Sequence, residues 1–178
     1  MNWGIDHIKD ALEVLSFLAT IVGGIAILLA VRDYAISRKH LNFAALESCI
    51  SRFRQHYICL DAQSDPQLVQ AYLDFINEEL FYFEHGYLPL GVAADWLDGM
   101  AEHVPVLDAS GRLCNAANCL PQLRDSGWLD HYRYRRVRSV FTVSVPIDWA
   151  AVQQGAPTAR AQLASALTNN LRRRRRGR

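Results

Sequence analysis

The chain has 178 residues, 51% of them hydrophobic, and a net charge of +1. Outside one long apolar segment near the N-terminus, the remaining length suffices for one hydrophobic core and not for two. The sequence lacks the motifs G-x-x-x-x-G-K-[ST], G-x-S-x-G and H-E-x-x-H, so it carries no signature of ATP hydrolysis, α/β-hydrolase chemistry or zinc proteolysis.

Residues 14–31, VLSFLATIVGGIAILLAV, carry no charge. As a helix this segment is about 27 Å long, close to the roughly 30 Å thickness of a bilayer's hydrocarbon core. A cleaved signal peptide is disfavoured because acidic residues (Asp6, Asp10 and Glu13) dominate the preceding stretch, where such peptides are basic. We therefore predict a single transmembrane helix. Arg32, Arg38 and Lys39 follow it, which places the N-terminus outside and the rest of the chain in the cytoplasm.

Small residues within this segment fall on one side of the predicted helix. They lie within an arc of roughly 80° and comprise Ser16, Ala19, Gly23, Ala26 and Ala30. Transmembrane helices associate where small residues let their backbones approach closely. This stripe therefore predicts association between copies of the chain.

The helix is expected to continue into the cytoplasm, because no helix-breaking residue occurs between Ala35 and Leu60. Its apolar residues repeat at steps of three and four, which favours packing against another helix. They are Phe43, Leu46, Ile50, Phe53, Tyr57 and Leu60. We assign the first four of these to the oligomer interface together with the small-residue stripe.

Further helices are predicted over residues 66–85, 90–104 and 157–171. The first has Asp65 as N-cap and Gly86 as C-cap. The fold class is therefore all-α: an N-terminal transmembrane helix (1–34) that continues into a cytoplasmic helical bundle (35–131), and a basic C-terminal tail (132–178). Residues 137–145 alternate like a strand. Such a strand would have to pair with another subunit, unless the segment is not a strand.

Charge is divided unevenly along the chain. Residues 1–131 carry 8 basic and 17 acidic side chains, a balance of −9, whereas residues 132–178 carry 11 basic and 1 acidic, a balance of +10. The basic segment is expected to dock on anionic lipid, on RNA or on the chain's own acidic part, or else to be a disordered tail. The arginines that we assign to this docking role are Arg133, Arg135, Arg136, Arg138, Arg172, Arg173, Arg174, Arg175, Arg176 and Arg178.

Few residues point to chemistry. Cys49, Cys59, Cys114 and Cys119 lack the spacing of a zinc site, so we expect reduced thiols, no metal and no cofactor. Glu78 and Glu79 are adjacent carboxylates, and an ion pair with Arg52 or Arg54 is the favoured interpretation over acid–base catalysis.

Arg124 and His131 have the R-x6-H spacing of the HEPN RNases, in which Arg stabilises phosphate charge and His moves a proton. Ser126 and Gly127 interrupt the helix that would hold the two in register. An incidental pairing is therefore favoured.

The segments FINEELFYFEHGYLP and WLDGM resemble a group of small single-pass bacterial membrane proteins of unknown function. More loosely, the layout is similar to the membrane accessory protein of type VI-B CRISPR systems. This looser resemblance implies an oligomeric membrane pore with a divergent HEPN-like cytoplasmic domain and, by analogy, a role in phage defence. From the small-residue stripe, the uninterrupted helix and the missing enzymatic motifs, we expect an oligomeric inner-membrane protein that permeabilises the membrane or anchors a protein partner. A membrane-tethered RNase using Arg124 and His131, or a passive scaffold, are the alternatives.

Overall fold

The chain is mostly helical, as predicted. The computed structural model describes the backbone of residues 3–177 and the side chains of residues 26–177. The stripe residues Ser16, Ala19 and Gly23, and most of the predicted span 14–31, therefore lie outside the described side chains, as does Arg178. Seven α-helices are described: α1 Trp3–His56, α2 Pro66–His85, α3 Ala93–Met100, α4 Pro121–Asp125, α5 Arg135–Val140, α6 Trp149–Gln153 and α7 Pro157–Arg176.

The chain divides into two units, Met1–Leu41 and Asn42–Arg178. In the first unit, every side chain that is described, from residue 26 to residue 41, is exposed. Within the part of the chain whose side chains are described, no helix combines the length and the apolar character needed to span a bilayer.

The second unit holds the hydrophobic core, and α2 lies at its centre. Asp65 caps this helix by accepting a hydrogen bond from the backbone N–H of Gln67 at 2.7 Å, and Pro66 begins it. Gly86 ends it in the left-handed conformation, with φ at 77°. Both ends of the predicted helix are confirmed, because they depend on local capping chemistry. Its apolar inner face is buried and includes Val69, Tyr72, Leu73, Ile76, Leu80 and Phe83.

The third helix is shorter than the predicted range 90–104. It covers only Ala93–Met100, and a tight turn takes the chain from Ala101 to Val104. Pro105 supplies no N–H that could continue the helix, and Asn115, a buried side chain from a distant loop, stabilises the turn. Its amide Nδ2 donates to the carbonyls of Ala101 at 2.9 Å and Val104 at 2.8 Å, and its Oδ1 accepts from the N–H of Val106 at 2.7 Å. These bonds satisfy buried backbone groups that have no partner within the helix.

The strand-like pattern at residues 137–145 is mostly wrong. Arg135–Val140 form α5, and only Thr142–Val143 form a strand, β2. Its partner is not another subunit, because β2 pairs in parallel with β1 (Leu107–Asp108) of the same chain. The core explains the difference. Tyr134, Val137, Val140 and Phe141 are spaced like residues on one face of a helix, and all four are buried.

The basic C-terminal segment is part of the fold. α7 runs to Arg176, five residues beyond its predicted end, and packs against α2, α3, α5 and α6. Leu163, Leu167 and Leu171 recur every fourth residue on its inner face and are buried. The alternative of a disordered tail is therefore wrong for residues 157–176.

We expect the substitution Asn115→Ala to lower the free energy of unfolding by about 3 kcal/mol, because one N–H and two carbonyls in the core lose their partner. Tryptophan fluorescence during urea unfolding measures this. Asn118→Ala, an exposed asparagine three residues on, is the matched control and is expected to change stability by less than about 0.5 kcal/mol. Equal effects of the two substitutions would contradict this role of Asn115.

Candidate functional site

The basic C-terminal segment meets the acidic part of its own chain. Arg133 on the turn before α5 donates to Asp74 of α2 at 2.9 Å, and Arg138 of α5 pairs with Asp130. Arg160 of α7 donates to Asp98 at 2.7 Å. Of the alternatives that the sequence left open for this segment, docking on the chain's own acidic residues is therefore observed. Arg135, Arg172, Arg173 and Arg176 have exposed side chains, whereas Arg175 is half-buried.

One carboxylate, that of Glu84 in α2, receives two of these arginines. Its side chain has no exposed surface. Arg136 of α5 donates to it at 3.0 Å, and Arg174 of α7 donates to its other oxygen. Arg174 also donates to Ser139 at 2.7 Å. Three helices that are far apart in sequence are thus joined at a single buried charge.

The environment of Glu84 acts on its pKa in two directions. Burial raises the pKa, but the hydrogen bonds and positive charges of Arg174 and Arg136 outweigh burial and hold the pKa below its ordinary value. Glu84 is therefore ionised in the folded protein, which is the state that both guanidinium groups require.

A second buried carboxyl, Glu79, lies on the wall of a cavity of about 270 Å³. The cavity lies between the C-terminal part of α1, the middle of α2, and α3 with the turn that follows it. Its apolar lining includes Phe53, Trp96 and Met100. Glu79 is only 4% exposed.

Among the residues whose side chains are described, no arginine neutralises Glu79 in the way that Arg136 and Arg174 neutralise Glu84. Burial raises the pKa of Glu79 well above its ordinary value, and the charge of Glu78 raises it further, against the lowering effects of Arg52 and of a hydrogen bond with Cys49. Burial, with the charges of Glu79 and Glu78, also raises the pKa of the Cys49 thiol to about 12. The Cys49 thiol is thus neutral near pH 7, and the surroundings of Glu79 favour the neutral form of its carboxyl.

Glu78, the neighbour of Glu79, makes the predicted ion pair. Arg52 of α1 donates to it at 2.8 Å, and the hydroxyl of Tyr82 donates at 2.5 Å. Burial raises the pKa of Glu78, but these two hydrogen bonds outweigh it and the pKa lies below its ordinary value. The interpretation of Glu78 as half of an interhelical ion pair is confirmed. The same pairing does not extend to Glu79, because adjacent helical residues point in different directions.

Arg124 and His131 do not share a helix. Arg124 lies in α4 and donates to Asp125 at 2.7 Å and 3.0 Å. Gly127 then adopts φ 66°, and His131 lies between two short 3₁₀ turns, where its Nδ1 accepts from the N–H of Arg133. Both side chains are exposed. Their assignment as catalytic residues stays a prediction to which this geometry adds no support.

The residues predicted to form an oligomer interface are placed differently from one another. Ala26, Ala30 and Phe43 are exposed, whereas Leu46 and Phe53 are partly buried against the core of their own chain. Ile50 lines the cavity beside Glu79. The exposed members are available to another copy, and the interface itself stays a prediction.

The cavity and Asn115 are the features that sequence reasoning missed. The sequence contains one sign of the cavity, because Cys49 lies four residues before Phe53 and so on the same helical face. In the structure Cys49 is 1% exposed, where α1 contacts the core. All four cysteines are free, and two of them, Cys49 and Cys119, are buried. Among the described residues, no group of three or more His, Cys, Asp or Glu side chains is placed to hold a metal ion.

No protein family, no curated protein and no solved structure matches the chain.

We expect Arg174→Met to lower the free energy of unfolding by about 3 kcal/mol, because it leaves a buried carboxylate with one guanidinium partner in place of two. Arg173→Met is the control, since it removes the same charge from the exposed neighbouring position and is expected to change stability by less than about 0.5 kcal/mol. Urea unfolding followed by tryptophan fluorescence compares them. Losses of equal size would show that the Glu84 contact contributes nothing specific.

The raised pKa of Glu79 predicts that stability falls as pH rises, whereas an ion-paired carboxylate with a lowered pKa makes stability rise with pH. Because its folded pKa is raised, the folded state binds a proton that the unfolded state releases above about pH 4.5, the ordinary value. The contribution of Glu79 to the free energy of unfolding is therefore fully present below that pH and is lost as pH rises toward the folded pKa. Glu79→Gln removes this loss.

The stability difference between Glu79→Gln and the wild type is thus expected to grow in favour of the variant from pH 4.5 to pH 8. Urea unfolding at a series of pH values measures it. Glu47→Gln, which removes an exposed carboxylate of α1, should show a difference that stays nearly constant with pH. A pH-independent difference for Glu79→Gln would contradict a buried neutral carboxyl.

Proposed function

We propose that this chain is a single-pass, self-associating protein of the bacterial inner membrane, with its N-terminus outside and its C-terminus in the cytoplasm. Its α1 helix is the anchor, and its action is on the membrane itself, as a permeability-changing oligomer. Anchoring of a protein partner is the alternative action at the same place.

The observation that carries this proposal is the exposure of large apolar side chains along α1. Leu28 is 71% exposed and Tyr34 68%, and Ile27, Leu29 and Val31 are each more than half exposed. A contiguous apolar surface of this kind is unfavourable in water and is typical of a surface that contacts lipid or another protein. The four aliphatic residues among them form the end of the uncharged segment that begins at Val14.

Charge supports the direction in which the helix would lie. Arg32, Arg38 and Lys39 follow the apolar residues and are exposed on α1, where basic residues favour the cytoplasmic side. Anionic lipid headgroups attract such residues by about 1 kcal/mol each. The second unit would then lie in the cytoplasm.

Self-association is supported by the small residues of the helix. Ala26 and Ala30 are exposed and lie about one helical turn apart. Gly23 belongs to the same predicted stripe. Close approach of two backbones along this stripe would bury the neighbouring Ile27 and Val31. The resemblance to membrane accessory proteins of CRISPR systems adds phage defence as the proposed setting for a triggered change in permeability.

Expression of the wild type in bacteria is expected to lower the membrane potential, as read by a potential-sensitive dye. The double substitution Gly23→Leu with Ala26→Leu should abolish the effect, because bulky side chains prevent close helix approach. Gly24→Leu is the matched control: it replaces a neighbouring glycine about 100° away around the helix and should leave the effect intact.

Chemical crosslinking of the same three proteins in membranes separates the alternatives. Crosslinked oligomers of the wild type without a change in potential would favour partner anchoring over permeabilisation. A wild type that stays monomeric, or that is recovered in solution without detergent, would contradict the proposal as a whole.

A further inference from the structure

The cavity beside Glu79 has the chemistry of a binding site, and its aromatic walls are fixed in place. The ring of Trp96 packs edge-on against Phe83 with ring centroids 5.7 Å apart. Tyr72 contacts His103 in the same edge-on manner at 5.9 Å. Because Phe83 and Tyr72 are themselves buried, these rings present their surfaces in one orientation. Aromatic faces carry negative electrostatic potential and attract cations.

The charged groups around the cavity also favour a cation. Two carboxylates, Asp95 and Glu102, lie on its lining with one guanidinium, that of Arg54. All three are exposed, so they form the rim, whereas Glu79 lies deeper. Glu102 is shared with Arg160, which donates to it at 2.5 Å. The lining therefore holds more acidic than basic groups.

Glu79 is the group in this cavity that a ligand would engage. Its carboxyl is almost fully buried, and a hydrogen bond links it to the thiol of Cys49, which is a weak donor. The nearby Arg52 is engaged by Glu78 at 2.8 Å. A buried carboxyl beside an open volume, with a thiol in place of a guanidinium, contrasts with Glu84, for which the fold supplies two arginines.

We propose that this cavity binds a small organic cation, with an ammonium group beside Glu79 and an apolar body against Phe53, Trp96 and Met100. The cavity volume of about 270 Å³ suits a ligand of roughly ten non-hydrogen atoms, since small-molecule sites enclose most of the ligand's surface. The cation supplies the positive partner of Glu79, and the aromatic rings contribute cation–π attraction. The site lies entirely within residues 42–178 and does not depend on the membrane function.

Isothermal titration calorimetry of the full chain in a non-ionic detergent tests the proposal with three probes that share one aromatic ring. These are benzyltrimethylammonium, which is permanently cationic, benzyl alcohol, which is neutral, and benzoate, which is anionic. The cation is expected to bind at least about tenfold more tightly than benzyl alcohol, and benzoate is expected not to bind.

Glu79→Gln keeps the shape of the side chain but cannot take on the negative charge that a bound cation stabilises on Glu79. It should weaken binding of the cation by about tenfold or more while leaving the binding of benzyl alcohol nearly unchanged. Glu47→Gln, on the exposed side of α1, should bind all three probes as the wild type does. Absence of cation binding, equal affinity for the cation and benzyl alcohol, or an unchanged affinity in Glu79→Gln would each overturn the proposal.

Discussion

Glu84 is ionised at a position without solvent access, and two guanidinium groups surround it. The desolvation penalty of such a carboxylate is several kcal/mol, so the charge is tolerated only where both Arg136 and Arg174 reach it. Those arginines come from α5 and α7, and Glu84 comes from α2. The fold is therefore constrained to bring these three helices together or not to bury Glu84 at all.

This constraint explains the uneven distribution of charge along the chain. The acidic residues of the first part and the basic residues of the last part meet across α2, α3, α5 and α7. Arg133 pairs with Asp74, and Arg160 bridges Asp98 and Glu102. These outer pairs are partly exposed and contribute little each. They instead help to orient α5 and α7 on the acidic helices, in the register that places Arg136 and Arg174 at Glu84.

The sequence predicted those parts of the fold that depend on local chemistry. Asp65, Pro66 and Gly86 marked both ends of α2, and the ion pair of Arg52 with Glu78 followed from two helices expected to pack together. The length of α3, the β1–β2 pair and the cavity were not predictable, because each depends on a residue far away in sequence. Asn115 binds the turn after α3 from a loop 14 residues beyond Ala101. From composition alone, the arginine run predicts a basic tail. The ion pair between Arg174 and Glu84 joins residues 90 positions apart, so no local sequence pattern predicts it.

In this structure the basic C-terminal helix belongs to the core of the second unit. Hydrogen–deuterium exchange of the full chain can measure whether it does. If α7 is part of the core, the amides of residues 163–171 exchange as slowly as those of residues 72–80 in α2, because both are released only when the unit unfolds. Rapid exchange of residues 163–171 beside a protected α2 would contradict the claim.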